Sequence, residues 1–311
     1  MSRGLRQTAF TRLLDRSGPV LLDGGLATQL EAQGCDIKGD LWSAGLLRSD
    51  PDAIVAAHRA YIDAGAQCIA TASYQASQEG FAALGLSAEE ADSLMLFSVE
   101  LAQRARDAAG SDAAIAASMG PYGAMLNDGS EYSGNYAVSA DVLRKFHRTR
   151  LQLFDASGVD VLGFETIPSL CETEVLAELL QNCSTPAWVS FSCRDNRCIS
   201  DGTPLAEIAK LFSGHPTVLA LGINCTAPLY MPPLLRELRQ AAPDKHGMAY
   251  PNSGETYNAD DGSWSGTVTP LDYSDAAQEW VVAGAKIVGG CCRVGPDHIR
   301  AMASVLGQQA G

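Results

Sequence analysis

Short β-rich apolar runs alternate with helix-period segments eight times along this chain, and no other feature restricts its fold as much. The runs are Val20–Leu22, Cys68–Thr71, Ala113–Ser118, Val159–Leu162, Ala187–Phe191, Val218–Ile223, Gly247–Tyr250 and Lys286–Val288. Between and after them lie the amphipathic segments Pro51–Ala64, Ala88–Ala109, Ala140–Ala156, Glu172–Gln181, Pro204–Phe212, Pro232–Ala241, Asp272–Ala283 and Pro296–Leu306. Neighbouring parallel strands need a long crossover, usually a helix, so strict alternation predicts a parallel sheet.

Three stretches echo one another: Asp63-Ala-Gly-Ala-Gln-Cys-Ile69, Asp155-Ala-Ser-Gly-Val-Asp-Val161 and Val282-Ala-Gly-Ala-Lys-Ile287. Each puts a glycine between a helix and the next strand, where a left-handed residue can end the helix. An open doubly wound sheet would use the same turn. Eight units, and the absence of a Gly-x-Gly-x-x-Gly phosphate loop, favour a closed (β/α)8 TIM barrel. Its 311 residues show no compositional break, so one domain over 1–311 is expected. The longest loops, Gly120–Ser139 and Asn252–Thr269, follow predicted strands and are candidates for lids on the catalytic face.

With 22 Lys and Arg against 36 Asp and Glu, the net charge of −14 disfavours nucleic acid and anionic membranes as partners. No stretch approaches the roughly 18 apolar residues of a membrane span, and the basic Met1–Arg6 is not followed by a signal-peptide core, so a cytoplasmic location is the default expectation. Nine cysteines make an odd number, spread without the density of a small secreted scaffold, so reduced thiols are expected rather than disulfides.

Two of the nine, Cys291 and Cys292, are adjacent in Ile287-Val-Gly-Gly-Cys-Cys-Arg293, just past the last apolar run. Cys225 ends an earlier run in Gly222-Ile-Asn-Cys225. In a barrel these positions meet at the carboxyl ends of the sixth and eighth strands, with one strand between them. Three thiolates there would hold Zn²⁺ with one position open for a substrate, the pattern of a catalytic zinc site. The alternative is that all three are small core hydrophobes, the reading adopted for Cys35, Cys68, Cys171, Cys183, Cys193 and Cys198. Adjacent thiols at a glycine-preceded strand end suit a metal better, with Gly289 and Gly290 permitting a bend. The five histidines share no metal-ligand spacing and read as structural.

These motifs, with Leu22-Asp-Gly-Gly25, Thr71-Ala-Ser-Tyr-Gln75, Gly120-Pro-Tyr-Gly123, Phe164-Glu-Thr166 and Tyr250-Pro-Asn-Ser-Gly254, resemble the homocysteine S-methyltransferase family across nearly the whole chain. The short single-domain members, which take a methyl group from S-methylmethionine or S-adenosylmethionine, are the most similar. The resemblance implies a zinc-thiolate barrel in which Cys225, Cys291 and Cys292 bind the metal and homocysteine sulfur completes the coordination, losing its proton. In-line attack on the sulfonium methyl would then form methionine.

By the same resemblance Glu165 holds the homocysteine ammonium, and Asp23 with the backbone of Gly24 and Gly25 shapes the amino-acid pocket. A structural ion pair for Glu165 and a helix N-cap for Asp23 are the alternatives. Tyr74 matches a position that can approach zinc, while Asn224 and Asn252 are polar wall residues, Asn224 also a candidate to orient its strand end. Arg293 could bind substrate or form a surface ion pair, and the donor sulfonium could rest against Tyr122 or Trp264. Betaine as donor, selenocysteine as acceptor, and a non-enzymatic metal-buffering or redox-sensing protein are the competing readings.

Overall fold

The computed structural model describes residues 4–37, 42–258, 263–265 and 268–307. The eight strands of its main sheet are β1 Val20–Leu21, β2 Cys68–Ala70, β3 Ala114–Met119, β4 Val161–Ile167, β5 Ala187–Phe191, β6 Val218–Asn224, β7 His246–Tyr250 and β8 Ala285–Val288. They form one parallel sheet in ring order, β1-β8-β7-β6-β5-β4-β3-β2. A single parallel bridge between Leu22 and Cys68 brings the first and last strands of the sheet together, giving a nearly closed single-domain TIM barrel. All eight predicted strands and all eight predicted helices are present.

The three echoed glycines do what their position predicts: Gly65, Gly158 and Gly284 have φ of 106°, 87° and 117°. Helix starts are equally local in origin. Ser87 and Glu90 make a reciprocal capping box before Ala88–Ala109, and Thr269 with Asp272 makes another before Pro270–Ala283.

Side chains alternate along each strand between two separate apolar clusters. Leu21, Ile69, Ile115, Leu162, Val189, Leu221 and Val288 pack outward beneath the helices. Val20, Leu22, Ala114, Val161, Trp188, Ala220, Met248 and Ile287 fill the barrel interior. Trp188 dominates that interior and needs a gap beside it: a Cβ on Gly163 would lie 2.8 Å from its indole ring. A short helix, Ala9–Asp15, closes the amino end of the barrel with Phe10, Leu13 and Leu14, the Phe10 and Trp188 rings standing 5.5 Å apart.

Both predicted lid loops carry structure. Gly120–Ser139 contains the helix Tyr122–Leu126 and a single 3₁₀ turn, Ser130–Tyr132. Asn252–Thr269 contains an antiparallel hairpin of Thr256–Asn258 and Ser263–Ser265, and the side chain of Trp264 lies outside the described residues. Among the described residues no helix is long and apolar enough to cross a membrane.

Candidate active site

The inward-facing set changes character at the carboxyl end of the barrel. Below lie Ala116, Trp188, Ala220 and Met248; one step further along the same faces come Ser118, Glu165, Ser190, Asn224 and Tyr250. This polar layer is internally bonded. The Ser118 hydroxyl donates to Glu165 Oε2 at 2.7 Å, Ser190 donates to Asn224 Oδ1 at 2.8 Å, and the Tyr250 hydroxyl bonds to Ser190 Oγ. Glu165 is 9% exposed, and burial raises its carboxyl to about 7 against the lowering effect of the Ser118 and Tyr250 hydroxyls.

Above the layer opens a cavity of about 130 Å³ lined by Asp23, Gly24, Gly25, Tyr74, Tyr132, Glu165, Asn224 and the thiols, with no Lys, Arg or His among its lining residues. Asp23 is not a helix N-cap, since Gly25 occupies that position before Leu26–Ala32. Its Oδ2 accepts the Ala70 N–H at 2.8 Å, and burial, reinforced by the charge of Glu165, pushes its carboxyl well above the ordinary range. Two carboxylates that resist sharing negative charge therefore face one cavity, which is an environment that rewards an arriving cation. The Gly25 N–H is committed to Val294 O at 3.0 Å, so it does not offer itself to a substrate anion. Tyr74 lines the same cavity.

The Sγ atoms of Cys225, Cys291 and Cys292 lie within 4.8 Å of one another at the mouth. Cys225 directly follows β6 and the other two follow β8, as their spacing predicts. The sulfurs of Cys225 and Cys291 are in direct contact, with Cα atoms 5.6 Å apart. That separation suits two ligands converging on one ion. The adjacent pair Cys291–Cys292 is not bridged, its sulfurs standing 4.0 Å apart. As thiolates the set fits a tetrahedral site, where bonds of about 2.3 Å place sulfurs about 3.8 Å apart. Burial pushes the Cys292 thiol up to about 11, so a thiolate there at neutral pH calls for a cation beside it.

Backbone strain marks the same rim. Thr166, Cys225 and Arg293 are non-glycine residues with φ of 62°, 46° and 66°. Thr166 is held there by the Asn224 amide, which accepts from the Thr166 N–H at 2.8 Å and donates to its Oγ1 at 2.7 Å. Asn224 lines the cavity and spends its side chain on the end of β4 that carries Glu165, rather than on its own strand end. Gly289 and Gly290 do not bend the chain into a left-handed turn; they allow close approach, a Cβ on Gly290 meeting the Val294 side chain at 2.0 Å.

Several candidates fall elsewhere. Asn252 is absent from the cavity lining because the chain turns away after β7, its N–H bonding to Thr226 O. Arg293 pairs with Glu255 at 2.8 Å. Tyr122 packs edge-on against Phe146 at 5.1 Å, so it does not present a face to the cavity. Cys171 is exposed rather than core. Histidines are structural where buried: His58 is lowered to about 4 by burial, and His147 Nε2 bonds Glu172 at 2.6 Å. Ser118, Ser190 and Tyr250 were not singled out in the sequence, although their inward phase at the ends of three apolar runs was a usable signal.

Comparison with known proteins points to one family. The family profile described as homocysteine S-methyltransferase matches residues 20–306. The chain is 45% identical to homocysteine S-methyltransferase YbgG of Bacillus subtilis over 94% of this chain and 96% of that protein. It is 39% identical to a selenocysteine methyltransferase of Astragalus bisulcatus, over 96% and 95% of the two chains. Among solved structures it resembles the metallated form of the homocysteine methyltransferase MmuM from Escherichia coli, with a TM-score of 0.85 and 42% identity over 96% of this chain and 99% of that one. The thiol trio above a buried carboxylate and these matches along the barrel together place the chain in the homocysteine S-methyltransferase family of enzymes.

Proposed function

We propose that this barrel, as one homocysteine-binding domain over 1–311, transfers a methyl group from S-methylmethionine or S-adenosylmethionine to the thiol of homocysteine, forming methionine. The observation that carries the reading is the meeting of Cys225, Cys291 and Cys292 beside a cavity whose charged lining residues are all acidic. A soft cation and a substrate ammonium each find their complement in that lining.

Cys225, Cys291 and Cys292 would hold Zn²⁺, which when bound supplies the positive charge that keeps an acceptor thiol ionised at neutral pH. Glu165 takes the homocysteine ammonium, with Ser118 and Tyr250 fixing its carboxylate and Asp23 adding a second negative group across the cavity. Asn224 keeps Glu165 aimed by clamping Thr166. Methyl transfer consumes one thiolate charge and one sulfonium charge and releases no proton, so none of these side chains has to act as a general base during transfer. The three thiols function only when reduced, which suits a cytoplasmic setting.

The test is methionine formation by reduced, zinc-loaded protein given homocysteine, with S-methylmethionine and S-adenosylmethionine in parallel arms and a chelated control. Zinc-dependent product with either is expected, and the faster arm names the donor. No product from either, with zinc bound, would overturn the reading and direct the search to betaine. The similarity to a selenocysteine methyltransferase supports selenocysteine as a second acceptor, which a competition between the two amino acids would measure.

A further inference from the structure

Next to the lining residue Tyr132 lies a buried carboxylate that neither the metal nor the homocysteine subsite uses. Glu131, in the turn Ser130–Tyr132, is 3% exposed, and its Oε2 is buried without a hydrogen-bond partner among the described residues. Burial lifts its carboxyl above the usual range, and the nearby Asp128 adds repulsion rather than relief. Its charge acts on both Tyr74 and Cys292, which line the cavity, and the next residue, Tyr132, lines it too.

The turn is built to stay in place. A Cβ on Gly123 would stand 2.5 Å from the Glu131 N, so the preceding helix and this turn interlock. On either side, the Tyr122 N–H and the Tyr136 hydroxyl both donate to the fully buried Glu172, at 2.7 and 3.1 Å. An ionised carboxylate held in a buried place with no partner costs stability until a cation arrives. Glu131 Oε2 is therefore an open acceptor for an arriving cationic group.

The reaction itself decides which cation. A carboxylate against the sulfonium would favour the charged donor over a transition state in which that charge is disappearing, and would slow the transfer. A carboxylate against a group whose charge persists binds donor and transition state alike. We propose that Glu131 binds the α-ammonium group of the sulfonium donor, and so sets donor affinity rather than the rate of transfer. This rests on the methyl-transfer reading above and names the donor subsite within it.

The experiment is steady-state kinetics on zinc-loaded Glu131→Gln with both substrates varied, beside calorimetric titration of S-methylmethionine into the same protein. Expected is a rise of about tenfold or more in the donor KM, matched by weaker calorimetric binding, with kcat and the homocysteine KM within about twofold. Glu131→Asp, which keeps the charge, should recover part of the donor affinity. A sulfonium lacking an ammonium, dimethylsulfoniopropionate, should inhibit wild type and Glu131→Gln equally. An unchanged donor KM, an equal rise in the homocysteine KM, a fall in kcat alone, or weaker inhibition of the variant by dimethylsulfoniopropionate would each overturn the assignment. Wild-type protein that turns over neither donor would instead sink the methyl-transfer reading.

Discussion

Glu165 links protonation to binding more directly than any other side chain at the site. Its carboxyl is raised to about 7 from an ordinary 4.5, so in the free enzyme it is largely protonated below neutrality and cannot hold an ammonium. Consequently kcat/KM for homocysteine should fall about tenfold per pH unit below about pH 7, and Glu165→Gln should lack that limb of the profile while losing affinity throughout. The sign for stability is opposite. A carboxyl whose folded value exceeds its unfolded value binds its proton more tightly when folded, so it costs stability as pH rises from about 4.5 to about 7, at about 1.4 kcal/mol per unit. Denaturant midpoints at pH 5 and pH 8 should therefore drop further on raising the pH in wild type than in Glu165→Gln. The thiols belong to the same scale. Serine at 225, 291 or 292 should lower zinc affinity by more than the roughly 100-fold typical of losing an outer partner, read by competition with a chromophoric chelator.

At the scale of elements, the site depends on how strand ends lock together. The Cys291–Val294 loop rests on the end of β1, where a Cβ on Gly25 would lie 2.6 Å from Cys291 O. Gly25→Ala should therefore displace both adjacent thiols and weaken zinc binding by about an order of magnitude or more while leaving the barrel folded by circular dichroism; unchanged metal affinity would refute the interlock. Across the mouth, Asn224→Ala removes three of the bonds that fix Thr166 and Ser190 and leaves buried donors unpaired, for a loss of about 1–3 kcal/mol in denaturant stability and a raised homocysteine KM. Much of this architecture was legible in the sequence because strand-helix alternation and helix-ending glycines are local signals. Cys225, Cys291, Cys292, Glu165 and Asp23 were legible as strand-end residues once the barrel was drawn. The engaged amide of Asn224 and the displacement of Asn252 were not, since each depends on packing between segments far apart in the chain. Glu131 escaped notice for another reason: a polar loop reads as solvated until its burial is known.

For the whole molecule, the barrel interior is divided between a catalytic end and a structural end, and the division can be tested. The polar layer of Ser118, Glu165, Ser190, Asn224 and Tyr250 lies at the carboxyl ends of the strands, while Phe10, Leu13 and Leu14 close the amino ends against Trp188. The plug is tied down at its edges. Ala9 N donates to Asp160 Oδ1 at 2.9 Å just before β4, and Lys286 Nζ donates to Arg16 O and Gly18 O, both at 2.5 Å, near the start of β8. Its helix was missed in the sequence because seven residues are too few for a clear helical period. Phe10 is fully buried, and Phe10→Ala would open a cavity beside Trp188 that the rigid strands cannot collapse to fill, costing about 3–5 kcal/mol. That loss should appear as a lower denaturant midpoint, with zinc stoichiometry and both substrate KM values unchanged, because the layers between plug and site are close-packed in one arrangement. A rise in the homocysteine KM would instead show that the packing of Trp188 reaches Tyr250 and Glu165, and that the two ends of the barrel are coupled.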